Sequence, residues 1–243
     1  MHPISLSIIT LTKDPSKSFA DLAFDLASQT SLSFKWIIVD SYDANNIKEY
    51  LSPYPHLLNN TSLYTQPSDQ PGLYAALNFA VLQCDTPFYL VIGSDDRLFP
   101  FAVSNILESL RRFPECSFLS YDVFSNGRLI KPLICRPYLF VGPRKYFSSH
   151  SIGIVIRKSL HNLYGGYPSD YCIAGDEYFL HRSLVDSPNI QTIALPLGVF
   201  GVSGLSSTKI GLMLRESWRA KRSLGLLHTL LFYARYLKYL MTR

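Results

Sequence analysis

Phe88-Tyr89-Leu90-Val91-Ile92 is an unbroken apolar run that passes directly into Gly93-Ser94-Asp95-Asp96. A continuous run, unlike an alternating one, predicts a strand buried on both faces of a parallel sheet. The two carboxylates then fall beyond the carboxyl end of a strand, where ligands gather in open α/β sheets. Adjacent oxygen donors suit a hard divalent cation, Mg²⁺ or Mn²⁺, that keeps its waters and shares a diphosphate. Ser-Asp-Asp is equally an ordinary cap or turn sequence, and the segment alone leaves both readings open.

Toward the N-terminus, Ser5 to Leu11 and Phe34 to Val39 are similar runs rich in β-branched residues. Between them Phe19, Leu22, Ala23 and Leu26 recur at helical spacing within 18–28, which gives a β-α-β opening. A strand is predicted over Ser62 to Thr65 and a helix over Leu73 to Gln83. Toward the C-terminus, a helix over Phe101 to Arg112 ends at Phe113-Pro114. Strands come next at Ser117 to Phe124, Ile152 to Ile156 and Ile190 to Leu195, with a turn at Ser125-Asn126-Gly127 and a helix over Asp176 to Val185. The basic, proline-punctuated stretch from Leu129 to Tyr146 gives no assignment.

Other residues could carry chemistry beside the Asp95-Asp96 pair. Asp40 follows Ile37-Ile38-Val39 and can accept from a nucleobase imide or a ribose hydroxyl, or cap its own loop. Gly72 precedes a helix with Asn78 in its second turn, where backbone or amide can approach a ligand, or simply begin a helix. Asp176 and Glu177 follow Gly175 at a helix start, where the macrodipole favours carboxylates; one of them could also deprotonate an acceptor hydroxyl. His150 suits a metal or phosphate as well as a structural hydrogen bond.

Composition narrows the classes. With 47% hydrophobic and 17% charged residues, the chain has the apolar content to fold and lacks the signature of disorder. Cys84, Cys116, Cys135 and Cys172 show neither zinc-site spacing nor a disulfide framework. The opening Met1-His2-Pro3-Ile4-Ser5 lacks the pattern of a signal peptide, so a cytoplasmic location is expected. Residues 211–243 hold seven Lys/Arg against one acid, Glu216, a net +6 that leaves −1 for the first 210. Nucleic-acid binding by the main body is therefore not expected. The division predicted is a domain over 1–210 and a basic amphipathic helical tail over 211–243.

Taken in order, these segments resemble the family 2 glycosyltransferases of the GT-A fold, from about Ser5 to Ser206. Ser7-Ile8-Ile9-Thr10-Leu11-Thr12-Lys13-Asp14 is similar to the family's first strand and nucleotide-binding loop, which usually ends in Tyr-Asn; this implies donor contacts at Thr10 and Thr12. Ile37-Ile38-Val39-Asp40 is similar to the second strand and its uridine-contacting aspartate. Gly72-Leu73-Tyr74-Ala75-Ala76-Leu77-Asn78 resembles the Gly-Ile-Tyr-Asp-Ala-Met-Asn stretch of the colanic-acid-type branch, with Ala75 replacing an acid and Asp69 near a preceding aspartate. Asp69, Gly72, Tyr74 and Asn78 are thereby implied on the donor side. Ile92-Gly93-Ser94-Asp95-Asp96 looks like the Leu-Asn-Ser-Asp-Asp form of the DXD motif. That resemblance implies Asp96 as metal ligand, Asp95 toward the ribose, sugar or metal, and Ser94 beside the substrate.

Farther on, Ser149-His150-Ser151 resembles the family's His-Gln segment and implies His150 at the substrate. Tyr171-Cys172-Ile173-Ala174-Gly175-Asp176 resembles its Ile-Ala-Ala-Asp segment, whose acid is the catalytic base: Asp176, or Glu177 if the register differs by one. Gly201-Val202-Ser203-Gly204-Leu205-Ser206 is loosely like the Gly-Gly-Val-Ser loop. The resemblance implies a mixed, mostly parallel α/β sheet flanked by helices, with a C-terminal helical extension. The implied activity is a metal-dependent, inverting hexosyl transfer from a UDP- or GDP-linked sugar to a glycan or lipid-linked saccharide, as in bacterial polysaccharide synthesis. The departures at Lys13-Asp14, Ser41 and Ala75 motivate an alternative, a non-catalytic nucleotide-sugar or glycan-binding module. A nucleotidyltransferase shares the metal and phosphate needs but lacks support, since no glycine-rich, Lys/Arg-bearing loop follows the first strand.

In the tail, Arg235 and Lys238 interrupt the apolar run from Leu224 to Ala234 well short of the roughly 18–20 residues a membrane span needs. Leu227, Leu230, Leu231, Ala234 and Leu237 share one face. That pattern suits peripheral contact with an anionic inner-membrane face, or packing on the domain or on a second copy in a homodimer.

Overall fold

A computed structural model describes residues 6–13, 15, 17–148, 150–186, 188–201 and 209–222. Its strands are β1 (Leu6–Thr12), β2 (Lys35–Asp40), β3 (Thr61–Thr65), β4 (Phe88–Val91), β5 (Arg97–Leu98), β6 (Phe118–Ser125), β7 (Arg128–Ile130), β8 (Ile154–Arg157) and β9 (Ile190–Val199). Its helices are α1 (Lys17–Ala27), α2 (Ile47–Leu51), α3 (Pro55–Leu58), α4 (Leu73–Gln83), α5 (Ala102–Arg112), α6 (Tyr138–Val141), α7 (Leu160–Tyr164), α8 (Gly175–Ser183) and α9 (Ile210–Arg222). The strands form one curled sheet of order β3-β2-β1-β4-β8-β6-β9-β5, with β7 on β6.

The continuous apolar strands are buried on both faces, as their composition requires. Leu6 and Ile8 of β1 and Trp36 and Ile38 of β2 face α1, where Phe19 stacks on the Trp36 indole with ring centroids 5.7 Å apart. Ile9, Ile37 and Val39 point the other way, onto Ala76, Leu77 and Ala80 of α4. The small residues of α4 bring its backbone close to the sheet, so Gly72 at its start lies near the strand ends. Gly72 has φ 103°, a left-handed conformation that disfavours a side chain.

The first four strands are parallel neighbours. Beyond β4 the sheet becomes mixed: β8 inserts antiparallel between β4 and β6, and β9 runs parallel to β6. The stretch read as a strand from Ile152 begins instead as a 3₁₀ turn, Ser151–Gly153, and enters the ladder at Ile154. A Cβ on Gly153 would lie 2.5 Å from the Ser148 hydroxyl and 2.9 Å from the Tyr121 carbonyl, so the chain is pressed against β6 there before it can pair. Strand β9 continues to Val199, past two register shifts that bend it along β6. The unassigned basic stretch supplies β7, α6 and a 3₁₀ turn at Gly142–Lys145.

Two polar anchors fix the chain that follows Asp96. Arg97 forms a bidentate pair with Asp25 of α1 (2.6 and 2.8 Å), and Asp25 also accepts from the Leu98 N–H. Gln29 accepts from Val103 N–H and donates to the Phe99 carbonyl, serving the start of α5. Of the predicted tail, α9 packs on α8; the apolar face from Leu227 to Leu237 lies outside the described residues. Among the described residues no helix is long and apolar enough to cross a membrane.

Candidate active site

The carboxyl ends of β1, β2 and β4 lie side by side, with β1 in the middle. Asp40 ends β2 opposite Thr12, and the Ile92 N–H bonds to the Ile9 carbonyl just before the Gly93 turn. Two strand spacings, about 10 Å, therefore separate the Asp40 strand from the Asp95-Asp96 strand.

Asp40 is 1% exposed. Its Oδ1 accepts from the Tyr42 and Asp43 N–H groups, both at 2.8 Å, which is the loop cap read in the sequence. Its Oδ2 is buried without a hydrogen-bond partner. A buried carboxylate oxygen left unsatisfied is costly, and an N–H or O–H from a ligand would relieve it. The cap uses one carboxylate oxygen and leaves the other without a partner.

Asp96 is also 1% exposed, and burial pushes its carboxyl up to about 7. Its Oδ2 accepts from the Gly93 N–H at 2.7 Å and its Oδ1 from the Gly201 N–H at 2.8 Å. The residue expected to be the foremost metal ligand is thus also a clasp between the β4 turn and the chain leaving β9. Asp95 and Ser94 are partly exposed in the same turn. A Cβ on Gly201 would lie 2.4 Å from the Asp95 Cγ, so only glycine fits against that carboxylate. A Cβ on Gly93 would lie 3.0 Å from Asp95 Oδ1 and 3.2 Å from Asp96 Oδ2. Those oxygens converge on space that glycine leaves open. Two hard oxygen donors suit a divalent cation whose remaining ligands are waters and phosphates, although no group of three or more His, Cys, Asp or Glu gathers among the described residues.

Asp176 lies in the first turn of α8, partly exposed. The Tyr74 hydroxyl is 2.9 Å from its Oδ1 and 2.5 Å from the Ile173 carbonyl, and the Glu177 N–H donates to the same Oδ1. Burial raises the Asp176 carboxyl above the usual carboxylate range, the direction that makes a better base, while the Tyr74 hydrogen bond opposes the rise. Glu177 differs. Its carboxylate accepts from the Ser217 hydroxyl and the Lys221 ammonium and lies 3.5 Å from His181 Nε2. Burial alone would raise it, but His181 and Lys221 outweigh that and hold it at about 2. A carboxylate so committed is a poor proton acceptor, so of the two expected bases the geometry favours Asp176.

Other expected ligands have structural partners. The Thr10 hydroxyl accepts from the Trp36 indole at 3.1 Å, fully buried on the α1 side of the sheet. Asn78 spends both ends of its amide on Tyr167, donating to the carbonyl (2.7 Å) and accepting from the N–H (2.8 Å). Thr12 is buried and its carbonyl accepts from the Ser41 N–H; Asp69 is exposed in the turn before Gly72. His150 stacks on Phe200, centroids 4.0 Å apart, beside Gly201, and burial followed by the Arg144 charge lowers its pKa.

Several residues of the site were not singled out by sequence. Gln66 accepts from the Ser41 hydroxyl and donates to the Gly72 carbonyl, tying the Asp40 loop to α4. Gly175 lets the α8 start pass the Tyr74 ring, where a Cβ would sit 2.7 Å from the ring carbons. Glu216 accepts from three backbone N–H groups ahead of Asp176. Its only sequence signal was being the one acid in a basic segment.

Comparison with known proteins bears on the fold and the family. The fold is similar to S. aureus TarS 1-349 in complex with UDP-GlcNAc, with TM-score 0.72 and 17% identity over 90% of this chain and 64% of that one. It is also similar to the mannosyltransferase PcManGT from Pyrobaculum calidifontis in complex with GDP-Man and Mn²⁺, with TM-score 0.68 and 15% identity over 95% and 68%. The chain spans less than two thirds of TarS 1-349, and 38% of a longer TarS structure. No curated protein sequence matches it. The model of Glycosyl transferase family 2 matches residues 7–159, more than half of the chain, and the protein belongs to that family.

Proposed function

We propose that this protein transfers a hexose from a UDP- or GDP-linked sugar to a hydroxyl of a glycan or lipid-linked saccharide, with inversion. The observation that carries the reading is the buried, unpartnered Oδ2 of Asp40, two strands from the Asp95-Asp96 turn. That span matches a nucleoside at Asp40 and a diphosphate at the turn. On the acceptor side, the hydroxyl oxygen attacks the anomeric carbon as its proton passes to Asp176, and the nucleoside diphosphate leaves with the bonding electrons. Asp95, partly exposed, and Asp96 behind it would hold Mn²⁺ or Mg²⁺, which when bound neutralises charge growing on the leaving diphosphate.

The Gly72–Asn78 motif supports placement beside the colanic-acid-type branch, and the basic residues of 211–243 support an acceptor at an anionic membrane surface. The test is nucleotide release from a panel of nucleotide sugars with Mn²⁺, in the parent and in Asp95→Asn, Asp96→Asn and Asp176→Asn. Turnover that needs no metal and survives all three substitutions would sink the mechanism.

A further inference from the structure

Asp176 is attached to α9 on both sides. Ahead of it, the N–H groups of Cys172, Ile173 and Ala174 all donate to the Glu216 carboxylate, the first to Oε1 at 2.8 Å and the others to Oε2 at 2.7 and 2.9 Å. Behind it, Glu177 is held by Ser217 and Lys221. Glu216 is 8% exposed. A carboxylate is buried at acceptable cost only with charge-assisted hydrogen bonds, and three successive N–H groups converging on one carboxylate form an anion nest. The nest lies just ahead of α8, and the last of its three N–H groups belongs to the N-cap, Ala174. Glu216 reaches this segment from another helix and brings a carboxylate to the positive end of α8.

We propose that Glu216 is a positioning residue for Asp176, and that α9 is a working part of the acceptor half of the site. This rests on the glycosyltransferase reading and deepens it. Three bonds to one carboxylate fix the backbone of 172–174, and therefore the direction in which α8 presents its first acid. The tolerance is narrow, because the Tyr74 ring fills the space beside Gly175. The donor half, Asp40 and the Asp95-Asp96 turn, stands on other strands and does not touch Glu216. Removing Glu216 therefore separates sugar transfer from nucleotide binding.

The test uses the full chain with Glu216→Ala and Glu216→Gln, the latter keeping one acceptor oxygen. The expected result is a kcat at least tenfold lower for Ala and less reduced for Gln, with donor KM and nucleoside diphosphate Kd within twofold of the parent. In hydrogen exchange, the amides of Cys172, Ile173 and Ala174 lose protection while those of Gly93 and Gly201 keep it. Unchanged kcat, or kcat and nucleotide affinity falling together, overturns the proposal. If Glu216→Ala does not fold, Glu216→Gln carries both readouts. A parent that binds nucleotides but transfers no sugar overturns the transferase reading instead, and exchange then decides the anchoring: lost protection supports it and retained protection overturns it.

Discussion

The Tyr74 hydroxyl reaches Asp176 Oδ1 at 2.9 Å across 102 residues of sequence, and its single proton is shared with the Ile173 carbonyl. This bond joins α4, which begins beside the donor end of the sheet, to the acid proposed as base.

Tyr74→Phe removes a donor that favours the ionised acid, so the Asp176 pKa is expected to rise further. The acid limb of the kcat–pH profile moves to higher pH, and activity at pH 6 falls more than activity at pH 8. A parallel loss at both values would show that Tyr74 acts only through packing.

Asp176→Asn is expected to lower kcat by roughly 10²–10⁴-fold, the usual range for loss of a general base. Glu177→Gln should cost less than tenfold in kcat but lower Tm, because Lys221 and His181 lose a charged partner. Comparing kcat and Tm across the two variants distinguishes the roles of these neighbouring acids.

Asp96 ties stability to pH. Its folded pKa, about 7, lies above the ordinary carboxylate value, so the native state binds more protons than the unfolded chain between about pH 4 and 7. Without metal, its stabilising contribution is expected to be complete below pH 4 and lost as pH rises through 7, by at most about 4 kcal/mol. Glu177 has the opposite sign: with its folded pKa near 2, its contribution is present above about pH 4.5 and lost as pH falls through 2. Thermal melts from pH 4 to 8, with and without Mn²⁺, check the Asp96 limb. Stabilisation by the cation should be larger at pH 8 than at pH 5.

Asp40→Asn leaves the loop cap one acceptor but replaces half of the carboxylate by an N–H donor. Nucleoside diphosphate affinity is expected to fall about tenfold or more, on the order of 1–3 kcal/mol for a lost buried hydrogen bond. Calorimetry with UDP and GDP measures this; unchanged affinity for both would remove Asp40 from the donor site.

Gly201→Ala places a methyl group 2.4–2.5 Å from the Asp95 carboxylate and carbonyl. A stability loss of about 1–3 kcal/mol is expected from overpacking, together with weaker nucleotide binding as the turn shifts. Denaturant titration and calorimetry on the same variant report both.

The parallel half of the sheet was readable because β1, β2 and β4 are continuous apolar runs, and such runs admit little besides a doubly covered strand. The insertion of β8 between β4 and β6 was not, since it depends on pairing between segments far apart in the chain. At the site, residue type did not reveal partners that are distant in sequence. Thr10 and Asn78 have the hydrogen-bonding groups of ligand contacts; the Thr10 hydroxyl also accepts from Trp36, and the Asn78 amide pairs with the Tyr167 backbone. Asp176 and Glu177 could not be ranked from sequence. About 100° of helical turn separates them, sending one toward Tyr74 and the other toward α9.

Strand β5 begins at Arg97, directly after Asp96, yet pairs with β9 on the far side of β8 and β6 from β4. The four residues Gly93 to Asp96 are therefore a buckle that carries the chain across the mouth of the curled sheet and fastens its β5 edge to the interior strand β4. Loosening the buckle and uncurling the sheet become one event, so a ligand seated there should raise the melting temperature of the whole domain instead of merely quieting a loop.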